Sequence, residues 1–250
     1  MKMEDKVSVV IPVHNAEKFI TKTVESVLGQ TYDNLEIILC ENNSTDSTKE
    51  VLSKITDPKV KVLILTDVSD AAGARNAGVK EADGRFIAFL DADDLWDPEK
   101  LEKQIDFMKK NNAAFSFTGY EFANEDAQPL GKIVKVPESI TYKEALKNTT
   151  IFTSTVMFDM SLLSKDDIKM PNIKSEDTAL WWKLLREGVK AYGLNENLVI
   201  YRRPAKSLSS NKFEAIKRIW YLYRGWEKLS VIKSAYYFVG WAVRAVLRRI

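Results

Sequence analysis

Residues 7–13 read VSVVIPV, an almost unbroken β-branched run. A strand covered by helices on both faces shows this near-continuous apolarity instead of in–out alternation, so the segment predicts a buried strand of a parallel sheet. Downstream, Asn15 is placed to cap a helix whose apolar positions Phe19, Ile20, Val24, Val27 and Leu28 recur at helical spacing up to Gly29. Residues 35–40 (LEIILC) read as a second strand, followed by the polar turn Glu41-Asn42-Asn43-Ser44 and a helix through about Ser53; residues 60–65 read as a third strand. A helix around 74–82 leads through Gly84 into residues 86–90 (FIAFL), a fourth buried strand that stops at Asp91-Ala92-Asp93-Asp94. Pro98 then opens a helix at a position where its missing N–H costs nothing. Alternation of this kind predicts a doubly wound α/β layer. The later pattern is less regular, with strands over 113–125, 153–158 and 198–202 and an amphipathic helix over 175–186.

With 250 residues, 45% of them hydrophobic and 29% charged, the chain has a globular composition and enough apolar mass for one substantial core. Cys40 is the single cysteine, which excludes an intramolecular disulfide, and His14 is the single histidine, which disfavours Cys/His zinc sites and a Ser-His-Asp triad. Any metal must therefore be held by carboxylates. The opening MKMEDKVSVV carries acidic residues and no long apolar run, so it does not read as a secretory signal, and a reducing cytoplasmic setting is expected.

In open α/β sheets, ligands bind beyond the carboxyl ends of the strands. Here that edge collects His14-Asn15, Glu41-Asn42-Asn43 and Asp91-Ala92-Asp93-Asp94. The first βα turn lacks G-x-G-x-x-G, and no G-x-x-x-x-G-K-[ST] occurs, so phosphate must be bound by other means. Three carboxylates within four residues repel one another unless a cation sits among them, and oxygen ligands suit Mg²⁺ or Mn²⁺. A metal–diphosphate complex answers both needs. The same residues also read as a plain acidic turn capping the helix after Pro98, and D-x-D alone does not separate the two.

Several ordered motifs do. VSVVIPVHNAEKFI, ENNSTDST, AGARNAG, GRFIAFLDADDLWDPEKLEKQI, SEDTALWWKLLREG and YRRPAKSLSSNK together cover most of the chain, which resembles the family 2 glycosyltransferases. The resemblance implies an α/β protein of the GT-A fold, with a Rossmann-like, mostly parallel sheet flanked by helices and a C-terminal helical extension. It divides the chain into a catalytic domain over 1–210, with a nucleotide-sugar half (1–105) and an acceptor half (106–210), and a tail over 211–250. It implies that Pro12, Val13, Asn15, Glu41 and Asn42 surround the nucleotide base and ribose, with His14 at a position usually held by tyrosine. The family's usual Asp-Asp-Gly-Ser turn is Glu41-Asn42-Asn43-Ser44 here; an Asn42 amide oxygen still accepts from a uracil N3–H, so UDP is the expected nucleotide.

The resemblance further places Arg75 and Asn76 on the donor's diphosphate or sugar, Asp91 and Ala92 beside ribose or sugar, and Asp93 on the metal with Asp91 nearby. Arg202, Arg203, Lys206, Ser207 and Ser209 fall in a segment implied to cover the diphosphate as a lid; a solvated basic surface is the other reading. An inverting transfer needs a carboxylate on the acceptor side, and family position assigns it to Asp177, with Glu176 in reserve. The alternative is that Ser175 caps a helix whose first turn favours both acids through the dipole. Trp181 and Trp182 are candidates for stacking on an acceptor sugar, although aromatic pairs are more often core.

Residues 212–250 carry nine Lys/Arg against two Glu among many aromatics, leaving the rest of the chain net acidic. The apolar stretch over 231–247 is short for a span and includes Lys233 and Arg244, so a helix lying on an anionic membrane surface fits, as does packing on the catalytic domain or a second subunit in a homo-oligomer. Nucleic-acid binding is not expected of an acidic body. The resulting expectation is an inverting, metal-dependent transfer of a hexose from a UDP-sugar to a saccharide on a polyprenyl diphosphate. It belongs to bacterial surface polysaccharide synthesis, at the cytoplasmic face of the membrane. A catalytically weak donor-binding subunit of a partner transferase is the rival.

Overall fold

The computed structural model describes residues 5–68, 70–147, 150–203 and 212–247. Its first half runs β1 (Val7–Val13), α1 (Ile20–Leu28), β2 (Leu35–Asn42), α2 (Thr48–Ser53), β3 (Val60–Leu65), α3 (Ala71–Glu81), β4 (Phe86–Phe89), β5 (Leu95–Trp96) and α4 (Lys100–Asn111). The second half adds β6 (Phe115–Ala123), β7 (Pro129–Val134), β8 (Ser139–Ile140), α5 (Tyr142–Ala145), β9 (Met157–Asp159), α6 (Glu176–Arg186), β10 (Ala191–Arg202), α7 (Lys212–Tyr221) and α8 (Val231–Leu247). Short 3-10 and π turns stand at Thr153–Thr155 and Leu222–Trp226.

Among the described residues the strands form one sheet in the order β3-β2-β1-β4-β9-β6-β10-β5, with β7 on β6 and β8 on β10. β1 pairs in parallel with β2 and β4, and β2 with β3, while β9 runs antiparallel between β4 and β6. The strand expected at 153–158 is thus mostly a 3-10 turn followed by a three-residue strand, and β5, β7 and β8 were not read from the sequence.

The β-branched run does what its composition requires. Val7, Val9, Ile11 and Val13 join Ile37 and Leu39 under α1 and α4, and Val10 joins Ile38 and Cys40 under α3 on the opposite face. Each strand of this pair therefore buries both of its faces, which is the origin of its near-continuous apolarity. Helix α3 lies so close that a Cβ on Gly78 would stand 2.4 Å from Val10 Cγ1 and 2.8 Å from Cys40 Sγ. Cys40 is core, its thiol pushed up to about 12 by burial.

Two expected caps are absent. Asn15 adopts a positive φ and turns its side chain to Thr45, leaving α1 without a side-chain cap, and Ser175, also at positive φ, caps nothing ahead of α6. Asp70 does cap α3, accepting from Gly73 N at 2.8 Å.

Lys100 is fully buried, with Nζ 3.9 Å from the centre of the Trp96 ring and 2.7 Å from Gln104 Oε1. Burial brings its ammonium down from 10.5 to about 7. Between those two values the unfolded chain holds a proton that the folded chain has lost, so stability rises with pH there. The stability of the native chain relative to Lys100→Met is expected to be flat below pH 7 and to climb above it by less than about 1.4 kcal/mol per pH unit, the one-proton limit. Denaturant melts of both proteins between pH 6 and 9 check this; a constant difference means that Trp96 and Gln104 keep the lysine charged.

Candidate active site

The chain leaves β1 for β2 and β3 on one side and returns to β4 on the other, so the carboxyl ends of β1 and β4 flank a topological switch point, where open α/β sheets place their ligands. Register brings the polar clusters level there: Pro12 pairs with Cys40 and Val13 with Glu41. The loops beyond are knitted together. Ser44 Oγ accepts from Asn15 N at 3.0 Å, Asn15 Oδ1 from Thr45 N at 2.8 Å, and Thr48 Oγ1 from Ala16 N at 2.8 Å. His14 Nδ1 lies 2.7 Å from the Asn42 carbonyl, which can only accept, so Nδ1 carries the proton. Glu41 is fully buried; Oε1 accepts from Ser44 N at 2.6 Å, whereas among the described residues Oε2 has no hydrogen-bond donor and only Lys49 Nζ at 3.8 Å. An unmet buried carboxylate oxygen is costly and is suited to receive a ligand hydroxyl. Asn42 is buried, with its amide donating to the Asp70 carbonyl at 3.3 Å.

The acidic turn after β4 is braced from behind. Thr23 Oγ1 donates to the Ala92 carbonyl at 2.8 Å, and Arg202 Nε donates to the Asp93 carbonyl. Asp94 is wholly buried; it accepts from Ser154 Oγ at 2.5 Å and from Arg202 N at 3.1 Å, while Ser154 Oγ accepts from Asp91 N at 3.0 Å. Asp94 is therefore a structural carboxylate, and Asp91 and Asp93, half-buried, are the pair left facing outward. Burial and the neighbouring Asp91 push the Asp93 carboxyl up to about 6.

Arg75 is the hub of the site. Buried in the first half of α3, it donates to Asp91 at 2.6 Å and to Glu176, 101 residues further along the chain, at 2.9 Å, so one guanidinium ties the end of β4 to the start of α6. Burial works against its charge, and Asp91 and Glu176 together overcome that, so its proton is held above the usual arginine range. Burial and the adjacent Asp177 raise the Glu176 carboxyl in spite of Arg75. Among the described residues Asp177 takes only neutral donors, Thr178 N at 2.6 Å and Thr153 Oγ1 at 3.2 Å. Asp91, Glu176 and Asp177 line one cleft of about 410 Å³, and Arg218, Ile219 and Trp241 of the tail line it too.

Three expectations change. Asn76 spends its amide on the backbone of Met170, donating to the carbonyl at 2.8 Å and accepting from N at 2.8 Å, so it clamps the chain and does not reach toward a sugar. Arg202 is not on a lid: it ends β10 buried, with its guanidinium over the Phe19 ring and 3.0 Å from Thr23 Oγ1, because strand parity turns it inward and leaves its neighbour Arg203 exposed over Phe122. Trp181 and Trp182 are core, the first among Phe115 and Phe158, the second stacked on Tyr223 and donating to the Ala145 carbonyl. Of the placements left open for the tail, packing on the catalytic domain is seen: Ile219, Leu222 and Tyr223 are buried with Trp182 in one core. Ser207, with Lys206 and Ser209, lies outside the described residues. Sequence reading missed Thr23, Ser154, Arg218 and Trp241; the hydroxyl run Thr153-Ser154-Thr155, wholly buried beside apolar strands, was the one available signal.

Among the described residues no three or more His, Cys, Asp or Glu side chains gather into a metal cage. A divalent ion shared with substrate phosphates needs only one or two carboxylates, and the like-charge crowding at Asp91 and Asp93 is what such an ion relieves. The residues fit a shared metal.

The sheet and its helical extension match solved structures. TarS 1–349 of S. aureus in complex with UDP-GlcNAc superposes with a TM-score of 0.69 at 21% identity, over 95% of this chain and 71% of that one. The mannosyltransferase PcManGT from Pyrobaculum calidifontis, in complex with GDP-Man and Mn²⁺, gives 0.72 at 16% identity, over 96% and 73%. By sequence, the chain is 44% identical to a protein of Bacillus subtilis (strain 168) named as the teichuronic acid biosynthesis glycosyltransferase TuaG, over 98% of this chain and 97% of that one. It is 41% identical to the Escherichia coli UDP-Glc:alpha-D-GlcNAc-diphosphoundecaprenol beta-1,3-glucosyltransferase WfgD, over 86% and 83%. The model of the glycosyl transferase family 2 matches residues 8–169, and the mostly parallel sheet flanked by helices has the GT-A fold. The chain belongs to glycosyl transferase family 2.

Proposed function

We propose that this chain transfers a hexose, with inversion, from a UDP-sugar to a saccharide hydroxyl on a polyprenyl diphosphate, in the assembly of a bacterial surface polysaccharide. The observation that carries the reading is the shared cleft, in which Asp91 and Asp177 stand on opposite elements and Arg75 holds their two walls together. Glu41, with its unmet Oε2, is suited to a ribose hydroxyl. Asp91 and Asp93 would hold a divalent ion, Mn²⁺ or Mg²⁺, which when bound neutralises charge on the departing diphosphate. Asp177 accepts the proton of the attacking hydroxyl; it is suited to this because its contacts are neutral donors, whereas Glu176 is committed to Arg75. Relatives named for a β-linked product from UDP-Glc support inversion, since UDP-glucose is the α anomer.

Incubating the purified chain with Mn²⁺, a panel of UDP-hexoses and a GlcNAc-diphosphate-undecaprenyl analogue, and reading product by mass spectrometry, tests the reading. Donor binding without product on any acceptor overturns it in favour of a donor-binding subunit.

The tail supports seating on a membrane. Ile232, Tyr236, Val239 and Val243 form an exposed stripe at helical spacing on α8, with Lys233 and Arg244 alongside, and Ile216 and Trp220 are exposed on α7. Among the described residues no helix is long and apolar enough to cross a membrane. Truncation would cut into the core at Ile219 and Leu222, so point changes are the proper probe. The double variant Ile232→Glu, Val239→Glu is expected to lose at least about tenfold in co-sedimentation with anionic vesicles, from two apolar side chains withdrawn from lipid. Unchanged binding counts against the tail as the membrane contact.

A further inference from the structure

Beside the catalytic cleft lies a second cavity, of about 460 Å³, whose walls include Ile173, Lys174, Glu214, Lys217, Arg218 and Tyr221. Arg218 lines both spaces, so it stands where they meet. Three cations face one carboxylate here. Glu214 answers the two lysines, Lys217 at 3.4 Å and Lys174 at 4.0 Å. The guanidinium of Arg218 has no carboxylate within ion-pairing distance among the described residues; its Nε donates only to the Glu214 carbonyl of its own helix, at 3.3 Å.

A cleft lined by Asp91, Glu176 and Asp177 repels an anion, yet an acceptor sugar on a polyprenyl diphosphate carries its charges on the phosphates joined to its anomeric oxygen, across the ring from the hydroxyl that must meet Asp177. Such a substrate is admitted only if its phosphates leave the acidic space as the sugar enters it. Arg218, at the junction, offers a planar donor fork suited to phosphate, and Lys217 and Lys174 add charge beyond it. The cavity wall then continues as Ile173 and Tyr221, next to the exposed apolar helices on which a prenyl chain would run. We propose that Arg218, with Lys217 and Lys174, forms the subsite for the acceptor's diphosphate, so that the tail reads the charged part of the acceptor while α6 handles its hydroxyl. This rests on the lipid-linked acceptor of the proposed function.

The test compares two acceptors in neutral detergent: the sugar on a prenyl diphosphate, and the same sugar as an uncharged alkyl glycoside. For Arg218→Gln the ratio of kcat/KM for the charged acceptor to that for the neutral one is expected to fall about tenfold or more, through KM, as loss of a charge-assisted contact implies. Arg218→Lys should recover part of the loss, and Lys217→Gln, with a side chain 75% exposed and no structural burden, should show a smaller fall in the same ratio. An unchanged ratio overturns the subsite. So does an equal rise in KM for the UDP-sugar, which puts Arg218 on the donor phosphates, and so does a loss seen only when anionic phospholipid is added. If the native chain uses neither acceptor, the proposed function fails, a result distinct from any of these.

Discussion

Asp177→Asn is expected to lower the rate of sugar transfer by about a thousandfold, the usual contribution of a positioned general base. The substitution keeps shape and the Oδ1 that accepts from Thr178 N, so α6 should begin as before and the fold should be unaffected. Binding of UDP-sugar should change little, because the proposed function gives this residue the acceptor hydroxyl, and among the described residues its side chain hydrogen-bonds Thr178 N and Thr153 Oγ1 but not the acidic turn or the loops after β1 and β2. Single-turnover transfer, with donor affinity measured by calorimetry, separates the two quantities. Glu176→Gln serves as the comparison. It leaves Arg75 with a neutral partner and should disturb the geometry of Asp91 and α6 together, raising KM as well as lowering kcat. If Asp177→Asn transfers at the native rate and Glu176→Gln does not, the base has been assigned to the wrong carboxylate.

Asp93→Asn should be comparably severe, with a loss of about 10²–10³ in kcat and a higher concentration of Mn²⁺ needed for half-maximal rate. Asp94, its neighbour, cannot replace it, because both Asp94 oxygens are engaged inside the protein by Ser154 and Arg202. Asp91 cannot replace it alone, because Arg75 already draws on its charge at 2.6 Å. The turn itself should survive, since its bracing acts on the carbonyls of Ala92 and Asp93 and not on the Asp93 side chain. Titrating Mn²⁺ against initial rate checks both numbers; a native metal dependence in the variant would remove Asp93 from the ion's coordination.

The comparison of these two aspartates shows how far local sequence carries. Both were legible by position, one at the end of a buried strand and one at the start of an amphipathic helix. What leaves Asp91 and Asp93 half-buried while Asp94 is locked inside was not legible, because it depends on which groups Ser154 and Arg202 reach from elsewhere in the chain. Arg202 illustrates the limit most clearly. A basic residue after a strand reads as surface or lid, and only the antiparallel partner β5 and the adjacent helix α1 turn it into an internal brace. The tryptophans fail for a related reason. Their helix has more than one apolar face to cover, one against the sheet at Phe115 and one against the tail at Tyr223, so neither ring is left for a sugar.

From the sequence alone came the parallel strands, the helices that cover them and the edge at which their polar ends meet, since β-branched runs, apolar periodicity and residue type at a strand terminus are local properties that survive any rearrangement of the rest. The tertiary structure alone decided that β9 returns antiparallel beside β4, that Arg75 couples Asp91 to Glu176, and that Arg218 and Trp241 of the tail line the cleft. Those are contacts between segments tens to more than a hundred residues apart, and their partners are selected by packing and charge in the assembled fold rather than by any pattern within one segment.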